Sequence, residues 1–182
     1  MNRVVPQLLV AGAIVLSTAA IANAQTTVTL PDTSQTTTFT ATVSEQARVT
    51  IPAAISFNVF DVSASHAASA ASITIDNIVL ATATKQLKLS IQASAASFTP
   101  PVGGATTWSA TDITWNAATW TNATGSSGTL SSSAYNAVAT CNANASTCST
   151  TGLVFTLGAK STVNRSGNHT LTATWKVESI GS

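Results

Sequence analysis

His169-Thr-Leu-Thr-Ala-Thr-Trp-Lys-Val-Glu178 is the stretch that decides how this chain folds. His169, Leu171, Ala173, Trp175 and Val177 fall on one side, and Thr170, Thr172, Thr174, Lys176 and Glu178 on the other. Successive side chains swap faces in a β-strand, so a period of two marks a strand with one apolar and one wet face. The pattern predicts a terminal strand with Trp175 buried in a core.

The same alternation runs back through the chain. Phe39, Ala41 and Val43 alternate with Thr38, Thr40 and Thr42. Val49 and Ile51, then Ile55, Phe57 and Val59 after Pro52, continue it, as do Ile73 and Ile75. The phase then shifts to Ile78 and Leu80, which predicts a bulge at Asp76-Asn77. Leu87, Leu89, Ile91 and Ala93 form another apolar face. In the second half, Ile113 with Trp115, the segment Tyr135 to Thr140, and Leu153, Phe155 and Leu157 read as strands. Pro100-Pro101-Val102-Gly103-Gly104 and Gly125-Ser126-Ser127-Gly128 read as turns. About eight to ten strands at this spacing predict an all-β chain: an antiparallel β-sandwich of immunoglobulin-like architecture.

The first two dozen residues read differently. Arg3 is followed by the apolar run Leu8–Ile21, and Ala22-Asn23-Ala24 supplies a small-x-small cleavage site. Met1–Ala24 is therefore predicted to be a secretory signal peptide. The run falls short of the roughly 20 apolar residues of a spanning helix, so no membrane span is expected after cleavage. Residues 25–182 then form one sandwich domain of ordinary size. The expected location is extracellular, cell-surface or periplasmic.

Charge is sparse, at 7% of residues against about 25% in ordinary domains. Seven basic residues face six acidic ones, with no basic stripe, so nucleic acid is not an expected partner. The two cysteines, Cys141 and Cys148, close a short loop and are predicted to be disulfide-bonded in an oxidising compartment. Asn-x-Ser/Thr triplets begin at Asn122, Asn144, Asn164 and Asn168.

Catalytic patterns are missing from the sequence. His66 and His169 lie in unrelated surroundings, and the carboxylates of Asp32, Glu45, Asp61, Asp76, Asp112 and Glu178 are scattered singly. Paired acid–base groups or a nucleophile with its base would be needed for most hydrolytic chemistry. No catalytic residues, metal ligands or cofactor are expected. Trp108 and Trp120 sit among Thr, Ser, Ala and Asn, so both are candidate exposed rings for stacking on sugars.

Val49-Thr-Ile-Pro-Ala-Ala-Ile-Ser-Phe-Asn-Val59 and Leu87-Lys-Leu-Ser-Ile-Gln-Ala93 resemble bacterial secreted surface β-sandwiches, of the spore-coat-U and pilin-like kinds and the WxL type. The resemblance spans Thr38–Ala93 and implies a structural or adhesive role outside the cytoplasm. The expected function is thus an exported, non-enzymatic structural or adhesive protein. It would self-assemble through sheet edges or join related surface subunits, and Gln25–Leu30 is a candidate donor strand. A carbohydrate-binding module using Trp108 and Trp120, with polysaccharide as partner, is the alternative.

Overall fold

A computed structural model describes residues 27–181 of the chain. The proposed signal peptide and the first residues of Gln25–Leu30 lie outside the described residues. What is described falls into two units, the segment up to Ala41 and a compact body that starts at Thr42.

The described residues of the first unit carry no strand. Its one local device is a turn at Asp32, whose carboxylate accepts the Ser34 N–H at 2.9 Å and the Gln35 side-chain amide at 2.8 Å. Alternation over Phe39–Val43 was expected to form a strand, and the structure corrects this. These residues are exposed, Phe39 by 93% and Val43 by 70%. We refer to residues 36–44 as the arm.

The body is all-β and antiparallel. Its strands are β1 (Gln46–Thr50), β2 (His66–Ala67), β3 (Ala71–Val79), β4 (Gln86–Ala93), β5 (Ile113–Trp115), β6 (Ala123–Gly125), β7 (Gly128–Thr129), β8 (Asn136–Cys141), β9 (Cys148–Leu153), β10 (Phe155–Leu157) and β11 (Ala173–Ile180). They pair in the orders β1-β3-β9, β2-β10-β5-β7 and β11-β4-β8-β6. The first two ladders are continuous: Ala71 faces Leu153, Ala67 faces Thr156, and His66 faces Leu157. They form one layer and the third ladder forms the other, an arrangement consistent with a β-sandwich.

One core joins the layers. Ile73 and Ile75 of β3, Leu89 of β4, Val138 of β8 and Leu153 of β9 are all but fully buried. Alternation accounts for β3, whose odd-numbered residues point inward until the register shifts opposite β1. Asn77 sits in that shift with φ of 51°, at the bulge that the sequence predicts. The Cys141–Cys148 disulfide is present. It links β8 to β9, so it ties one layer to the other and does more than close a loop.

Candidate assembly groove

The body is closed on one side and open on the other. On the closed side, the Gly125–Gly128 turn passes the chain from β6 in one layer to β7 in the other. On the open side, β1 and β11 are the outer strands of their ladders. Each has one paired edge, with β3 and β4 respectively, and no strand among the described residues on its other edge. A strand edge without a neighbour presents free N–H and C=O groups and can template pairing with another chain.

Two hollows lie in line along this open side. The larger, of about 1100 Å³, runs between residues 52–59 and the stretch from Val163 to Trp175. The smaller, of about 340 Å³, lies between Ala47 and Val49 of β1 and Val177 and Ser179 of β11. Together they make a seam along both flanks. Its floor is the core itself, with Phe98, Trp108, Ile113 and Phe155 lining the larger hollow.

Each flank shows the same signature. On one, Ala47, Val49, Ile55, Phe57 and Val59 are only partly buried, packed at the margin of the core. On the other, Leu171, Ala173, Trp175 and Val177 are partly buried as well. The residues between them on each flank are mostly exposed. Residues 55–59 alternate like a strand, yet no strand is assigned there. The expectation that Trp175 is buried is corrected for the same reason. Its ring meets Phe155 edge-on at 6.4 Å, but its other side faces the seam. Side chains patterned for a core are left half-covered where no strand of the described residues lies between β1 and β11.

The ends of the seam are polar. At the larger hollow, His169 accepts or donates at Nδ1 with the Thr107 hydroxyl at 2.7 Å, and its Nε2 donates to the Arg165 carbonyl at 3.1 Å. At the smaller hollow, the Glu45 carboxylate accepts the Ala81 N–H at 2.7 Å and the Lys85 ammonium at 2.9 Å. These two donors, Ala81 first, hold the Glu45 carboxyl below its usual range. On the opposite face of β11 from Val177 and Ser179, Glu178 pairs with Lys88 of β4 at 2.7 Å, directly across the ladder.

The tryptophans expected to be open to sugars are not. Trp108 is 5% exposed and Trp120 is 8% exposed. The Trp108 indole N–H donates to the Gly158 carbonyl at 3.0 Å, and its ring packs against Phe98 and His169. Trp120 is pressed against Gly125, where a Cβ would stand 2.8 Å from the ring. Neither offers an open face for stacking, so the candidate glycan-binding pair is corrected. Local polarity in sequence misled, whereas the size of the side chain was the better signal. Glu45 and the seam went unread because no local pattern shows which strand edge lacks a neighbour.

Among the described residues, no group of three or more His, Cys, Asp or Glu side chains comes together to hold a metal. No described helix is long and apolar enough to cross a membrane. No known protein family, curated protein or solved structure matches the chain.

Proposed function

We propose that this protein is an exported, non-enzymatic structural subunit of immunoglobulin-like architecture that assembles copy to copy by strand insertion. The observation that carries this is the seam, where two apolar strand flanks stay half-covered on either side of a gap. A strand laid there would pair with the free edges of β1 and β11 and cover Trp175 and Val177. The second support is the arm. Phe39, Ala41 and Val43 alternate with threonines and are exposed, so the arm has one apolar face suited to the seam and one polar face suited to water.

Length agrees. At about 3.3 Å per residue, residues 36–44 extended would span roughly 30 Å, within reach of the flank that runs from Ala47 to Val59. Gln25–Leu30 is the poorer donor, because Pro31 follows at once and cannot donate to a ladder. Export rests on the Met1–Ala24 pattern and agrees with the disulfide.

Sedimentation tests the reading. The secreted chain should form species larger than a monomer, and a variant lacking residues 27–44 should be a monomer. Phe39→Arg should weaken assembly while the variant chain melts at the same temperature as the monomeric body that lacks residues 27–44. A full-length chain that stays monomeric at every concentration would end the proposal.

A further inference from the structure

Charge is placed unevenly around the larger hollow. Among the described residues, Arg48, Lys85, Lys88, Lys160 and Lys176 each pair with a carboxylate. Arg165 is the one described lysine or arginine outside these pairs. It lines the larger hollow and is exposed, and no Asp, Glu or Lys lines that hollow with it. A guanidinium is always protonated, so the wet edge of the hollow carries a permanent, uncompensated positive charge.

The chain holds this charge in place. Arg165 belongs to the connection between β10 and β11. Just before it, Asn164 Oδ1 accepts the Thr106 N–H at 3.1 Å. The Arg165 carbonyl accepts from His169 Nε2 at 3.1 Å, and His169 Nδ1 meets the Thr107 hydroxyl at 2.7 Å. Gly167 has φ of 127°, and a Cβ there would stand 2.8 Å from the Pro101 Cβ. These contacts with residues 101–107 set where the Arg165 backbone lies. Its guanidinium Nη1 donates to the Asn164 carbonyl at 2.8 Å, which leaves the rest of the fork for a ligand.

Below that charge the hollow is lined by Phe57, Phe98, Trp108, Ile113, Phe155 and Trp175. The ring nitrogens beside them are spent within the protein, Trp108 on the Gly158 carbonyl and His169 on Thr107 and Arg165. A volume of about 1100 Å³ stands at the upper end of small-molecule sites, which run from roughly 300 to 1,000 Å³. The matching ligand has a long apolar body and one negative end. A carboxylate suits that end, because the planar guanidinium fork gives it two parallel N–H···O bonds.

We propose that the larger hollow binds a free long-chain fatty acid, with its hydrocarbon tail on the aromatic floor and its carboxylate on Arg165. This goes beyond the assembly reading. It concerns a copy whose seam is unfilled, and a fatty acid and an inserted strand exclude each other from the hollow.

Calorimetric titration tests this. The full-length secreted chain, diluted to monomers, is titrated with dodecanoate below its micelle concentration. Dodecanoate should bind saturably, one per chain. Decanoate should bind roughly tenfold more weakly, because each buried methylene is worth about fourfold in affinity. Arg165→Gln should weaken dodecanoate by at least about tenfold, the usual loss of a hydrogen-bonded charge. The same variant should bind dodecanol, which has the same tail and no charge, as the wild type does. Equal losses for both ligands would assign Arg165 to the shape of the hollow and overturn the inference. Dodecanoate affinity unchanged by Arg165→Gln, or no saturable binding, would overturn it as well. Sedimentation judges assembly separately, so either reading can fail without the other.

Discussion

A Cβ built on Gly128 would stand 2.4 Å from Cζ2 of the Trp115 indole. The Trp115 ring lies over the backbone of β7, and its N–H donates to the Ser126 carbonyl at 2.9 Å. The turn between the two layers is thus held from beneath by one side chain of β5. Gly128→Ala should force ring or backbone to shift, at a cost of about 1–3 kcal/mol, as overpacking usually does. Urea melts of the two proteins check this; equal midpoints would show that the turn moves freely off the ring.

Trp115 and Trp175 should separate in a stability test. Trp115 is 3% exposed, and its truncation to Ala should cost about 3–5 kcal/mol. Trp175 is half-covered at the seam, so Trp175→Ala should cost the monomeric, arm-deleted body about 2 kcal/mol less than Trp115→Ala does. Denaturant melts of that body measure the difference. Equal losses would mean that Trp175 is as enclosed as the core.

The disulfide should matter beyond its short loop. Chain-entropy arithmetic gives a loop this small about 2–3 kcal/mol. Here it also joins β8 to β9 across the layers. Replacing both Cys141 and Cys148 by Ser should lower the unfolding free energy by more than the roughly 2–3 kcal/mol of the loop alone. Intact mass with and without reductant shows whether the bond is present in isolated protein. An unchanged melt in the double variant would show that core packing alone holds the layers.

Acid should destabilise the body, and the sign follows from the carboxylates. The Ala81 N–H and then Lys85 lower Glu45, Arg48 lowers Asp76, and Lys176 and then Lys88 lower Glu178. Each folded value lies below its unfolded one. Their stabilisation is therefore complete above the unfolded values, near 4, and is lost as pH falls through the folded ones. The melting temperature should be level from about pH 7 to 5 and fall below about pH 4. Asp76→Asn should make that fall shallower. A melt that does not change with pH down to about 3 would show that these pairs contribute nothing, as exposed pairs sometimes do.

Sequence periodicity located β3, β4 and β11 well because their alternation and their burial share one cause. The inward residues Ile73, Ile75, Leu87, Leu89 and Ile91 meet the core. The shift at Asp76-Asn77 was legible for the same reason, since a bulge exchanges the two faces. Alternation failed at Phe39–Val43 and at Ile55–Val59. Both have the pattern of a strand, and neither has a ladder. A period of two reports which side chains share a face and carries no information on whether a neighbouring backbone lies alongside.

The sequence alone determined the all-β class, the cysteine pair, the low charge and the want of a catalytic pattern, because each is written in residue type and local spacing. Only the tertiary structure decided that Trp108 and Trp120 are enclosed, that the disulfide crosses the layers, and that the side between β1 and β11 is open. These depend on contacts between residues far apart in the chain, such as Trp108 with Gly158 and Glu45 with Lys85. Pairing partners are chosen by how the whole set of strands shares one core, and no short stretch contains that choice.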